Sequence, residues 1–320
     1  MNNFYPEFLY RNGEKVELRN KLRLDENGEN PWKHIPEGPD VADVKMDYVP
    51  SLIDREGLQF IEENKDTSFF LVMSYNTPHA NPENKPDGME VPSYGQFEGK
   101  DWPDPEKGFA TMIYNLDQSV AKIMGKLKEH DIDDNTLFIF CSDNGPHNQG
   151  GHNVEYFNSN GDLRGAKGDF YEGGIRTPFI IRWPGVVQSG QKLDHLGAFW
   201  DILPTLADVV NLDVPEDIDG LSFLPLLEGK SDLQKQHEYL YWEFPKLGGK
   251  QAIRKNNWKV IKLHVSDEKS VEIELYNLDS DPGESTNVAD KYPKVLEEIK
   301  PLFNEAHDDL AGNFVYQNFF

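Results

Sequence analysis

The chain has 320 residues, with 32 Lys plus Arg against 56 Asp plus Glu, a formal net charge of −24. A content of 38% hydrophobic and 28% charged residues is that of a globular protein long enough to bury a sizeable core, which excludes a disordered chain. The acidity argues against nucleic acid or an anionic membrane surface as partner, since both call for clustered Lys and Arg. The single cysteine, Cys141, excludes an intrachain disulfide framework and a Cys-based metal site.

Residues 1–50 carry Pro, Gly and Asn at short intervals and read as irregular chain with little core of its own. Met1–Pro6 has neither the basic nor the apolar region of a signal peptide, and no segment has the length of a transmembrane helix. A short helix is expected over Ser51–Asn64. Ser68–Tyr75 (SFFLVMSY) is a continuous apolar run, the pattern of a strand buried on both faces, with His79 just past its end. The next helix starts at Asp104 as cap, with Pro105 in its first turn. Phe109, Met112, Ile113, Leu116, Val120, Ile123, Met124 and Leu127 recur at spacings of three and four, and Lys126, Lys128 and His130 close it. Thr136–Cys141 is a second strand, so strand, helix and strand predict a right-handed βαβ unit. Phe179–Trp183 is a third strand and Phe199–Val210 a helix.

From Glu238 the pattern alternates as in an antiparallel sheet: Glu238–Phe244, Gln251–Arg254, Trp258–His264 and Val271–Tyr276, with a hairpin turn at Lys255–Asn257. A last helix is expected over Lys294–Ala306. The reading is thus an α/β chain with a mixed, mostly parallel core sheet over residues 1–235 and a C-terminal subdomain, an antiparallel sheet plus helix, over 236–320.

Two segments carry chemistry. Ser142-Asp143-Asn144-Gly145 follows the second strand, where open α/β sheets bind ligands, and puts two oxygen ligands of the kind a hard cation takes side by side. Taken alone, Asp-Asn-Gly reads first as a good turn rather than as a metal site. Gly165–Pro178 holds four glycines around Lys167, a point charge suited to an oxyanion; it is neither a Walker loop nor a dinucleotide fingerprint.

Together these segments resemble the formylglycine-dependent sulfatases, arylsulfatase-like members of the alkaline phosphatase-like superfamily. The matching pieces are Tyr5-Pro6-Glu7, Thr77-Pro78-His79-Ala80-Asn81, Asp134-Asn135-Thr136, Cys141–Gly145, Gly165–Pro178, Asp201–Leu206, Asp219–Leu227 and Leu275–Glu284, in family order. The resemblance implies that Asp143 and Asn144 are Ca²⁺ ligands. It implies that Lys167 binds the sulfate ester and steadies the leaving oxygen, and that His79 contacts the sulfate or protonates the leaving alcohol. A departing alkoxide is strongly basic, so a nearby acid or cation must offset its charge. His147 and His152 flank the metal turn; His152 is a candidate pocket residue, and nothing assigns either of them chemistry.

The family nucleophile is a formylglycine made within a Cys/Ser-x-Pro/Ala-x-Arg motif, and no such motif occurs here. The family's paired Asp residues on its first strand and its Lys-Trp-His-like segment are also lacking; Trp32-Lys33-His34 has the residues in another order. The expectation is therefore a sulfatase portion lacking the family's N-terminal part. It carries half a Ca²⁺ site, is inactive alone, and takes a separate N-terminal fragment as candidate partner. The alternatives are a sulfatase-like relic or binding protein without catalysis and, behind it, a phosphoesterase of the same superfamily. Gly248–Lys262 holds five Lys or Arg and no acid. From this, Lys250, Gln251 and Arg254 are expected to contact a sulfated glycan, against the plain reading of a strand with solvated charges. The wider resemblance is to bacterial enzymes exported to the periplasm or cell surface.

Overall fold

The structure is a computed structural model that describes residues 3–32, 40–246, 248–267 and 269–307. Lys33 and His34 of the Trp-Lys-His segment lie outside the described residues. The chain forms two compact units. The first comprises residues up to Thr136 together with His147–Ser159, and the second comprises Leu137–Pro146 together with the chain from Asn160 onward.

In the first unit the N-terminal fifty residues are not the coreless drape that their composition suggests. β1 (Phe8–Arg11) and β2 (Glu14–Glu17) form a hairpin, and Asn12 and Gly13 at its turn have φ of 51° and 84°. Asn-Gly is the pair that a two-residue turn with both centres at positive φ favours. β3 (Lys21–Leu22) pairs with β4 (Ala42–Val44). Phe4 and Tyr5 are buried with Ala42, Tyr48, Met89, Phe109 and Met112 in the unit's core.

Helix α1 (Val49–Asn64) begins with Pro50 in its first turn, where a missing N–H costs nothing. α2 (Asp104–Glu129) follows its predicted span, with Asp104 and Glu106 in the first turn and Lys126 and Lys128 in the last. Phe109, Met112, Ile123 and Leu127 face the core as expected, whereas Ile113 is 44% exposed. Asp104 is the first helical residue rather than the cap, which is Pro103.

Ser68–Tyr75 departs from expectation. It pairs with no strand among the described residues, so the predicted βαβ unit does not form. Its residues alternate instead. Phe69 meets Phe60 of α1, the Met73 side chain reaches Gly57 and Tyr75 donates to Asp54, while Phe70 and Val72 are 72% and 66% exposed. An unbroken apolar run does not say which faces are covered, because the pleat turns every second side chain outward.

In the second unit β5 (Phe138–Cys141) pairs antiparallel with β6 (Phe179–Arg182). Between them in sequence lies α3 (Glu172–Ile175), and beyond them come α4 (Ile202–Val209) and α5 (Leu224–Leu227). A four-stranded antiparallel sheet follows, built from β7 (Leu240–Phe244), β8 (Lys250–Lys255), β9 (Trp258–Leu263) and β10 (Glu272–Asn277). Its order is β10-β9-β8-β7. Asn256, at φ 53°, turns β8 into β9, with Lys255 opposite Trp258. The last helix is broken into α6 (Pro293–Ile299) and α7 (Leu302–Ala306), with Pro301 between them. One sheet face packs Ile253, Val260 and Leu275 on Leu296, Ile299, Leu302 and Phe303 of these helices. The other packs Ala252, Ile261 and Tyr276 on Phe170 and Tyr171 of the glycine-rich segment. All strand ladders among the described residues are antiparallel. No described helix is long and apolar enough to cross a membrane.

Candidate active site

The Asp-Asn-Gly turn and the glycine-rich segment meet within the second unit, joined through backbone. The Gly145 N–H donates to the Gly174 carbonyl at 2.9 Å, and the Lys167 N–H donates to the Pro146 carbonyl at 2.7 Å. A Cβ at Gly145 would stand 1.9 Å from the Gly173 carbonyl oxygen, so the approach requires glycine. The turn is closed internally: the Ser142 hydroxyl donates to the Asn144 carbonyl at 3.1 Å and the Asn144 amide to the Gly145 carbonyl at 2.9 Å. With its Nδ2 so committed, Asn144 has its Oδ1 to offer a cation beside the exposed carboxylate of Asp143. This donor set fits Ca²⁺ in kind, hard neutral and anionic oxygen, and supplies two of the ~6–8 oxygens that Ca²⁺ takes.

Lys167 is half-buried. Burial pushes its ammonium below the ordinary lysine value, with Asp143 pulling the other way. An ammonium in a partly dry site gains from an incoming anion, which restores the charge stabilisation that burial removes, while the Asp143 carboxylate opposes that anion unless a cation covers it. Asp143, Asn144, Lys167, Glu172 and Arg254 all line one cleft of about 2110 Å³ within the second unit. Cys141, at the end of β5, has its thiol pushed up by burial and by Asp143, which makes it a poor nucleophile.

The remaining predicted contacts sort differently. Lys250 donates to the Gly168 carbonyl and to Asp169, both at 2.9 Å, and so clamps the residues next to Lys167. Arg254 lies 3.4 Å from Glu172. Gln251 donates to the Tyr241 hydroxyl at 3.0 Å. As an odd neighbour of Lys250 and Ala252 on one strand, it points to the opposite face of the sheet, so one sugar cannot touch all three predicted residues. His152 is no pocket residue: its side chain is fully buried, Nδ1 donates to Glu106 at 2.7 Å, and the ring stacks on Phe109 at 3.8 Å. His79 and His147 lie in the first unit, their ring centroids 5.5 Å apart.

The chain belongs to the sulfatase family. The sulfatase family model matches residues 5–212, and the model for the C-terminal part of N-sulphoglucosamine sulphohydrolase matches 166–309. Human steryl-sulfatase is 38% identical over 204 residues, covering 62% of this chain and 32% of the relative. N-acetylgalactosamine-6-O-sulfatase of Bacteroides thetaiotaomicron is 32% identical over 281 residues, covering 81% and 51%. The chain thus spans about half or less of the length of these relatives. Among solved structures, Ps i-CgsB in complex with k-i-k-neocarrahexaose superposes with a TM-score of 0.67 at 26% identity, covering 83% of this chain and 56% of that one. A protein solved with its substrate D-glucosamine-2-N,6-O-disulfate has the same fold, with a TM-score of 0.67 at 16% identity over 99% of this chain and 75% of that one. The chain is therefore an arylsulfatase-like member of a family of sulfuric ester hydrolases, on an alkaline phosphatase-like α/β fold.

Several sulfatase motifs turn out to hold the frame. Glu172 of the glycine-rich segment is 2% exposed; its carboxylate pairs with Lys259 at 3.0 Å, and its N–H donates to Glu284 at 2.5 Å. Lys259 reaches Glu284 at 2.9 Å, and both are fully buried. Asp201 accepts from the N–H groups of Ala198 and Leu221 and from His237 Nε2, each at 2.8 Å. Sequence reasoning did not single out Lys259, Glu284 or Asp201 as partners; Glu172 and Glu284 sat inside recognised motifs without an assigned role.

Beside Asp201, both ring nitrogens of His195 are buried without a hydrogen-bond partner, and burial holds the imidazole below its ordinary value. The folded chain therefore prefers the neutral ring, while the unfolded chain takes up the proton near ~6.5. This contribution is complete above that value and is lost as pH falls through it. The thermal midpoint should thus fall on acidification below neutrality, and His195→Phe should flatten that fall. An equal pH slope in wild type and variant would remove His195 as its source.

Among the described residues, Glu62, Glu129 and His130 also bring ligand atoms within 4.8 Å of one another. Lys65 and Lys126 already neutralise Glu62, so a cation there would have to displace two ammonium groups.

Proposed function

We propose that the chain is the portion of a sulfatase that recognises a sulfate ester, one belonging to a sulfated glycan. The observation that carries this reading is the backbone pinning of Lys167 against the Asp143–Asn144 turn within one cleft. In this reading Lys167 binds the sulfate and offsets charge on the leaving oxygen. Asp143 and Asn144 would hold Ca²⁺, which when bound neutralises the sulfate oxygens. His79 is the residue that donates a proton to the leaving alcohol. Its Nδ1 donates to the Ala80 carbonyl at 2.6 Å, which fixes the ring's orientation.

A sulfated glycan is favoured by the names of relatives: one acts on N-acetylgalactosamine 6-O-sulfate, another was solved with neocarrahexaose. Of the residues on β8, Arg254 stands at the cleft and is the one we retain as a sugar contact. The functional division we propose is a core over 1–235 and a subdomain over 236–320, in an enzyme working outside the cytoplasm. Attack on sulfur in the family requires formylglycine, whose motif the chain does not contain. We therefore propose that the chain by itself releases no sulfate and that catalysis needs a separate segment bearing the nucleophile.

The test is calorimetric titration of the full chain with 6-O-sulfated N-acetylgalactosamine in Ca²⁺, with a parallel assay for free sulfate. The expected result is weak binding that Lys167→Ala abolishes and Ca²⁺ removal weakens, with no sulfate released. Equal binding by the variant would overturn the site, sulfate release would overturn the proposed inactivity, and tighter binding of the 6-phosphate would favour a phosphoesterase.

A further inference from the structure

We infer that His147 is a positioning residue for His79, a clamp with no proton to give. The inference rests on the proposed role of His79 for its meaning in catalysis, but its geometry stands independently. His147 is 6% exposed, and each of its ring nitrogens takes part in a hydrogen bond. Nε2 lies 2.9 Å from the Pro78 carbonyl oxygen, which can only accept, so Nε2 carries the proton. Nδ1 lies 3.1 Å from the Gln149 backbone N–H, which can only donate, so Nδ1 is the bare lone pair. The two partners together fix one neutral tautomer. Protonating Nδ1 would set an N–H against an N–H and break the second bond.

The Pro78 carbonyl belongs to the peptide that joins Pro78 to His79. Gripping it sets the plane from which the His79 side chain departs, and the two rings lie 5.5 Å apart at 38°. From the other side, the His79 N–H donates to the Asn76 carbonyl at 3.1 Å, and its Nδ1 is taken by Ala80. His147 is itself seated on buried groups. The His152 N–H donates to the Gln149 carbonyl at 3.1 Å, and the His152 ring stands edge-on to His147 at 5.7 Å and 81°. Glu106, 2% exposed, holds both His152 Nδ1 and the Asn153 N–H. A line of contacts therefore runs from Glu106 on α2 through His152 and His147 to the backbone of His79. A ring that must donate a proton needs fixed orientation, since an ångström of misplacement costs rate steeply.

The experiment uses the full chain with ¹⁵N-labelled histidine rings, read by NMR across pH. In the wild type, His147 is expected to show an unprotonated Nδ1 and a protonated Nε2 at neutral pH. His147→Phe keeps an aromatic ring and loses both bonds; it should move the His79 ring signal and shift its titration midpoint by about half a pH unit or more. His147→Gln, whose amide offers one donor and one acceptor, should restore the His79 signal. A protonated His147 Nδ1 in the wild type would overturn the proposal, and so would an unchanged His79 midpoint in folded His147→Phe. If the phenylalanine variant does not fold, the wild-type tautomer and the glutamine variant still decide. Failure of sulfate-ester binding would leave these signals untouched, so the two ideas fail separately.

Discussion

Lys259→Met is expected to destabilise the second unit by about 3–5 kcal/mol. The ammonium is fully buried and is shared by Glu172 and Glu284 at 3.0 and 2.9 Å. Methionine fits the volume but strands the Glu284 carboxylate in a dry interior and leaves Glu172 to Arg254, which is the costly way to break a buried ion pair. Burial already pushes the Glu284 carboxyl above its ordinary value, with Lys259 holding it down. Without Lys259 the Glu284 carboxyl should take up a proton, so the variant should lose less stability in mild acid than at neutral pH. Denaturant unfolding at two pH values tests this. A loss below about 1 kcal/mol at neutral pH would show that the triad is relaxed or wet rather than buried. Because Glu172 anchors the segment that carries Lys167, the same variant should loosen the proposed sulfate site as well as the fold.

Gly145→Ala is the second large effect. The added methyl would stand 1.9 Å from the Gly173 carbonyl oxygen and 2.9 Å from its carbon, both backbone atoms that cannot rotate aside. The turn and α3 must then part, and the Gly145–Gly174 hydrogen bond goes with them. Overpacking of this kind costs about 1–3 kcal/mol, occasionally more. The diagnostic feature is coupling: the variant should weaken Ca²⁺ and sulfate-ester binding together, while Gly125→Ala, whose Cβ would meet nothing within 4 Å, should change neither. Normal binding of both ligands by a folded Gly145→Ala chain would show that the turn and the glycine-rich segment are not held in register by this contact.

Much of this was legible in the sequence where the signal is local. The three-and-four spacing of Phe109, Met112, Ile123 and Leu127 located α2, because a helix writes its buried stripe into its own sequence. Asn256 located the β8–β9 turn for the same reason. Asn12-Gly13 carried an equally local signal that composition masked. Ser68–Tyr75 was misjudged because coverage of a strand's second face depends on what lies across from it, which the run itself does not encode. The candidate site divides the same way. Asp143, Asn144 and Lys167 stand inside contiguous motifs. Lys259 and Glu284 meet Glu172 across 87 and 112 residues of chain, and such pairings leave no spacing rule to read. His152 and Gln251 had suitable chemistry and the wrong direction, one facing a buried glutamate and the other the far side of a pleated strand.

The Glu172–Lys259–Glu284 triad also sets where this chain tolerates division. A cut between 172 and 284 that allowed the pieces to separate would leave a charge on at least one of them without its buried partner. The glycine-rich segment and the C-terminal sheet are thus physically coupled through this triad. Exchanging the sheet between relatives to change sugar preference would succeed only if Glu172 travelled with its lysine and its second glutamate. A graft that took the sheet alone would leave Lys259 without the Glu172 carboxylate it pairs with.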